Sequence, residues 1–89
     1  MSIAIKKLSD DVFEVTVVEI STTAHTVTIS DQSLNDLTDK KVTKTQLLEF
    51  SFKFLLDREP NTSILSSFDI NVISRYFPDY RDEVRRWCN

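Results

Sequence analysis

His25 and Cys88 are the two side chains of this sequence that could combine as base and nucleophile, and each residue type occurs only once. A thiol attacks as its thiolate, so such a pair needs a rigidly held sulfur and an imidazole beside it, oriented by a third group. His25 lies in a run of β-branched residues next to Thr26, where an imidazole more often serves as a hydrogen-bonding group than as a base. Cys88 stands next to last, where chains fray. No orienting partner is evident, so no catalytic residue is assigned and the chain is not expected to be an enzyme. A single cysteine also makes an intramolecular disulfide impossible and excludes a zinc site built on several thiolates. No metal or other cofactor is expected.

A second kind of chemistry is phosphate binding with base stacking, which uses guanidinium groups and aromatic rings on one surface. Arg75, Arg81, Arg85 and Arg86 stand close to Tyr76, Tyr80 and Trp87. Asp79, Asp82 and Glu83 are interleaved with them, and the whole chain carries a formal net charge of -3 with a pI near 5.0. These charges would repel a phosphate backbone. The same letters also describe a salt-bridged helix exterior over an aromatic core, which is the preferred reading. Nucleic-acid binding through the four arginines is kept as the alternative function. Residues 64–77 suggest a helix-turn-helix with Asp69-Ile70-Asn71 as its turn, but the spacing to the inward aliphatic pair is short. Arg58-Glu59 ahead of Pro60 is a charged pair in a loop; Arg58 is expected to reach the last carbonyls of the preceding helix or an acid such as Asp69.

The elements that must hold these residues follow from composition and period. The chain has 89 residues, 40% hydrophobic and 28% charged, the values of an ordinary soluble domain with one core. No apolar run approaches the roughly 20 residues that would span a bilayer, and Met1 to Leu8 lack the order of a signal peptide, so the cytoplasm is expected and no membrane is. There is no glycine at all. Phosphate-cradling glycine loops are therefore excluded, and turns must use Asp, Asn and Ser at Ser9-Asp10-Asp11, Ser21-Thr22-Thr23 and Asn61-Thr62.

Ile3 to Lys7, Val12 to Ile20 and Ala24 to Ile29 read as three strands of an antiparallel meander. Phe13, Val15 and Val17 share one face by the two-residue period. Val18 and Ile20 break it, which predicts cover on both faces there or a bulge. Ser30 or Asp31 caps a short helix with Leu34 and Leu37 inward. Thr43-Lys44-Thr45-Gln46 fits a capping box for a longer, central helix. Gln46, Glu49, Lys53 and Asp57 form its polar stripe, with Glu49-Lys53 and Lys53-Asp57 pairs; Phe50 and Phe54 are expected in the core beside the sheet. After Pro60, short helices are expected: one with Ile64, Leu65 and Phe68 on its apolar face, one capped by Asp69 with Ile70, Ile73 and Phe77 inward, and one opened by Pro78 with Tyr80, Val84 and Trp87 in line.

Residues 51–80 hold four of the six phenylalanines and both prolines. Ser51-Phe52-x-Phe54-Leu55-Leu56-x-Arg58-Glu59-Pro60, then Ser63-Ile64-Leu65, then Phe68-Asp69-Ile70-x-Val72-Ile73-x-Arg75-Tyr76-Phe77-Pro78-x-Tyr80 resembles a signature of short, free-standing bacterial proteins. The resemblance implies a bacterial source and one compact domain. It implies no activity and brings no catalytic or ligand-binding residue to any position. The expectation is therefore a single α+β domain over 1–89, with a small antiparallel meander within 3–29 and helices within 31–88 packed on one face. Its expected role is a non-catalytic interaction or accessory module that binds another protein or its own copy, because the central helix has more apolar surface than so short a chain easily covers.

Overall fold

Alternation along the first third builds three strands, β1 (Ser2–Lys7), β2 (Val12–Val18) and β3 (Thr22–Thr28), in a computed structural model that describes residues 2–89. They pair antiparallel, with Ile5 opposite Val15 and Val15 opposite His25. Phe13, Val15, Val17, His25 and Val27 are buried on one face, while Ala4, Glu14, Thr16 and Thr26 stay exposed or half-exposed on the other. All helices therefore lie on the odd-numbered side. The fold is α+β, as expected.

Val18 and Ile20 depart from expectation. The β2–β3 pairing runs unbroken from Val12 opposite Thr28 to Val18 opposite Thr22, so there is no bulge. Nothing covers them either, and Val18 is 44% and Ile20 107% exposed. Val18 is even-numbered and faces the bare side of the sheet, and Ile20 lies in the turn between β2 and β3.

Ser30 caps α1 (Asp31–Thr38) by accepting from the Ser33 N–H at 3.1 Å, and the helix turns Leu34 and Leu37 inward. Lacking glycine, the chain leaves α1 through Asp39 and Lys40, at φ of 54° and 58°. Aspartate tolerates this region, but lysine there costs about 1 kcal/mol or more. α2 (Lys44–Leu56) starts with the expected capping box, in which Thr43 Oγ1 accepts from the Gln46 N–H and the Gln46 side chain accepts from the Thr43 N–H.

Two expectations about the middle of the chain are corrected. Phe52, not Phe50 or Phe54, packs beneath the sheet: its ring lies 5.4 Å from His25 on β3 and 6.2 Å from Phe68. Phe54 is buried on another flank of α2, against Phe77 and Tyr80, and Phe50 is half-buried on Trp87. Residues 61–69 also do not form a helix. A single 3-10 turn at Asn61–Ser63 leads into β4 (Ser67–Asp69), which pairs parallel to β3 with Phe68 opposite Val27. The sheet is thus four-stranded and mixed, in the order β1-β2-β3-β4. β3 would otherwise leave its outer amides and carbonyls unpaired over the core, and α1 with α2 supply the long crossover that a parallel neighbour requires. A helix-turn-helix is thereby removed, because its first helix is a strand.

Two short helices close the chain, α3 (Val72–Tyr76) and α4 (Tyr80–Cys88). Asp69 caps the turn ahead of α3, accepting from the Asn71 N–H at 2.9 Å, and Pro78 precedes α4 by two residues instead of opening it.

Lys44 ties three elements together. Its Nζ lies 2.8 Å from both Asp11 and Asp31 and donates to the Asp10 carbonyl at 2.9 Å. Burial by itself lowers the pKa of this ammonium, but the bonds to Asp11 and Asp31 outweigh that and hold it above its ordinary 10.5. The same hydrogen bond and charge hold the Asp31 carboxyl below its ordinary 3.8. A depressed carboxyl stabilises the fold above its unfolded pKa and loses that contribution as pH falls. The melting-temperature gap between the parent and Asp31→Asn should accordingly be full at neutral pH and close below 3.8. A gap unchanged at about pH 2.5 would show that the ion pair is not its source.

Candidate functional site

The polar stripe of α2 runs along a flank that α4 meets. Tyr80 and Val84 turn α4's apolar face into the core, and Glu83 and Trp87, four residues apart, come to the α2 side. Between the two helices lies an open groove of about 610 Å³, within the size range of ligand-binding clefts. Phe50, Phe54 and Trp87 make its floor, and Glu49, Lys53, Asp57, Arg58 and Glu83 its rim. Phe50 and Trp87 stack with ring centroids 4.6 Å apart and planes 21° off parallel, yet Trp87 remains 39% exposed.

Arg58 closes one end. Its guanidinium carbon stands 3.5 Å over the Phe54 ring, Nη1 donates to the Phe54 carbonyl at 3.1 Å, and Nη2 donates to Asp79 at 2.9 Å. The helix-end carbonyl was expected; the acid is Asp79 and not Asp69. Lys53 pairs with Glu49 at 3.3 Å. The expected Lys53-Asp57 pair is absent, and among the described residues Asp57 has no ion-pair partner. Glu59 is half-buried and, among the described residues, makes no ion pair.

Beneath the groove the polar groups are structural. Ser51 Oγ donates to the Leu47 carbonyl at 2.7 Å, so Tyr80 must donate its hydroxyl proton to Ser51 across 2.6 Å. Burial pushes the Tyr80 hydroxyl far above its ordinary 10.0, and the Ser51 bond brings it only part of the way back, which keeps it un-ionised.

His25 is buried, 2% exposed, with both ring nitrogens engaged. The Leu65 carbonyl, 2.7 Å from Nδ1, can only accept, so Nδ1 carries the proton of the neutral ring. Nε2 then accepts from Thr23 Oγ1 at 2.8 Å, which in turn accepts from Asn61 Nδ2 at 3.0 Å. Asn61 also donates to the Ser21 carbonyl at 2.9 Å. This network stitches β3 to the segment between α2 and β4. Sequence reasoning took Asn61 for a turn residue; its place after Pro60 gives no sign that its amide reaches forty residues back. Cys88 Sγ faces the Arg85 carbonyl at 3.8 Å, and the His25 and Cys88 side chains do not meet.

The four arginines do not form one surface with the aromatic rings. Arg81 and Arg85 share a flank of α4, and Arg85 reaches the Asp36 carbonyl of α1 at 3.5 Å, away from Trp87 in the groove. Arg86 pairs with Glu83 at 3.1 Å, Arg75 is exposed on α3, and Tyr80 is buried. The apolar patch expected on α2 is also missing: its large side chains are buried or half-buried. The exposed apolar residues, led by Ile20, Tyr76 and Leu8, are dispersed along the chain. Among the described residues no three His, Cys, Asp or Glu side chains converge as metal ligands, and no helix is long and apolar enough to cross a membrane. Set against protein-family models, curated proteins and solved structures, the chain matches none of them.

Proposed function

We propose that the domain is a non-catalytic protein-interaction module of the bacterial cytoplasm, and that the groove between α2 and α4 receives a segment of its partner. The observation that carries this reading is Trp87, exposed on a concave surface, stacked on Phe50 and flanked by an arginine already fixed on Phe54. Rigid tryptophan and arginine side chains dominate the energetics of protein interfaces. The rim mixes acids and bases, which suits a charged, amphipathic segment. Splitting of the arginines from the rings weighs against the nucleic-acid alternative.

Affinity capture from a bacterial lysate tests the reading with the parent, Trp87→Ala, Asp57→Lys and a control, Thr16→Lys on the bare face of the sheet. A protein retained by the parent and the control but reduced at least about tenfold by both groove substitutions is expected, which corresponds to roughly 1.4 kcal/mol. Trp87 is the only tryptophan, so titrating the purified partner should also shift the intrinsic emission. Retention indifferent to the groove substitutions, or no retained protein, would sink the proposal.

A further inference from the structure

β1 is one open edge of the sheet, and the hydrogen-bond pattern says which of its groups are free. The Leu8 N–H donates to the Val12 carbonyl at 2.9 Å, and the register sets Lys6 opposite Glu14 and Ala4 opposite Thr16. In the alternation of an antiparallel ladder, the even-numbered residues of β1 therefore exchange bonds with β2, and the N–H and C=O groups of Ile3 and Ile5 point outward. Among the described residues, no loop or helix backbone bonds to them. The Ile3 and Ile5 side chains lie on the helix-covered face, packed against the core but only partly buried. The opposite edge is blunted, since β4 has three residues and ends in Asp69. β1 has six, with no proline, no bulge and no charge before Lys6. Its charged guards against pairing, Lys6 and Lys7, stand together at one end, which leaves Ser2 to Ile5 open.

We propose that two copies of the chain pair antiparallel through β1 about a two-fold axis, joining their sheets into one of eight strands. Symmetry restricts the register. Directly opposed residues share a face, and an axis perpendicular to the sheet keeps both helical layers on the same side, so odd residues must oppose odd and even oppose even. Centring the axis on Ala4 sets Ile3 against Ile5 of the other copy twice and Lys6 against Ser2. Centring it on Ile5 would oppose Ile3 with Lys7 and Ala4 with Lys6; centring it on Lys6 would oppose two lysines, which repel. Centring it on Ile3 gives up the pairing of Ile5 with isoleucine. In the Ala4-centred register the outward groups of Ile3 and Ile5 meet their complements in four interchain hydrogen bonds, and four half-buried isoleucines extend the two cores across the junction. The contact is small, so association is expected to be concentration-dependent at roughly micromolar levels. It uses no residue of the α2–α4 groove and stands or falls separately from it.

Ala4→Cys in a Cys88→Ser background puts a thiol on the axis, facing its symmetry mate in a non-hydrogen-bonded pair with Cα atoms about 4.5 Å apart, within disulfide reach. Copper-phenanthroline oxidation at tens of micromolar protein should convert most of this variant to a covalent dimer, and little of Thr16→Cys in the same background. Sedimentation of the parent should show twice the 10.3 kDa chain mass, reverting to monomer on dilution and in Ile5→Lys. A native melt of Ile5→Lys checks that it still folds, and the Ala4→Cys result does not depend on that variant. The proposal is overturned by a parent that stays monomeric with no more disulfide at Ala4→Cys than at Thr16→Cys, by efficient cross-linking of Lys6→Cys instead of Ala4→Cys, or by a β1 edge that captures only a different protein's strand.

Discussion

Phe52→Ala is expected to cost about 3 to 5 kcal/mol, the largest effect of any single truncation in this chain. Its ring is fully buried and lies between α2 and two strands, with His25 on β3 and Phe68 on β4 as aromatic neighbours. Truncation removes the dispersion contacts of all three elements at once and leaves a cavity that the paired backbone of the sheet cannot collapse to fill. A domain of this size has roughly 4 to 13 kcal/mol of stability in total, so the variant should melt at least about 12 °C below the parent. Phe50→Ala should cost much less, because its ring is half-buried and stacks on an exposed tryptophan. Thermal melts of both variants decide the matter. Phe52→Ala within a few degrees of the parent, or Phe50→Ala the worse of the two, would mean that the inward face of α2 is misassigned.

His25→Leu should cost about 2 to 4 kcal/mol although leucine has similar bulk and keeps an apolar contact with Phe52. The loss is polar. Without the imidazole, the Leu65 carbonyl loses its donor and the Thr23 hydroxyl its acceptor, and each half-buried orphan costs about 1 to 2 kcal/mol. Thr23→Val keeps the Nδ1 bond to Leu65 but orphans Nε2 and one Asn61 N–H, so a comparable cost is expected. Amide exchange adds a local reading: protection in 61–66 should fall more than in β1 and β2, since His25 and Asn61 tie that segment to β3. A melt of His25→Leu equal to the parent's, with unchanged exchange, would show that the network contributes no net stability.

These outcomes also mark where sequence reading stopped. The three N-terminal strands, the capping box at Thr43, the Ser30 cap and the polar stripe Gln46-Glu49-Lys53-Asp57 were all legible, because each is a local pattern with a fixed period or spacing. Arg58's bond to the helix-end carbonyl was legible for the same reason. Its acid was not, since Asp69 and Asp79 are equally acidic in sequence and only the path of the chain brings Asp79 within 2.9 Å.

Residues 61–69 show the limit most clearly. Ile64, Leu65 and Phe68 fit one face of a short helix, and Phe68 fits an inward strand position equally well; for so short an apolar run, periodicity cannot choose. The choice was made by the edge of β3, whose unpaired backbone groups needed a partner and found one in Ser66, Phe68 and Ile70. The groove has the same origin. Its floor residues Phe50 and Trp87 stand 37 positions apart, and nothing in either neighbourhood points to the other. Amino-acid order alone thus determined the α+β class, the helix starts and the exclusion of glycine-dependent phosphate sites, because those depend on backbone propensity and short-range hydrogen bonds. Tertiary packing decided which phenylalanine faces the sheet, which strand edge is open and which rings meet in the groove, because burial and pairing between distant segments are settled only when the whole chain competes for the same core.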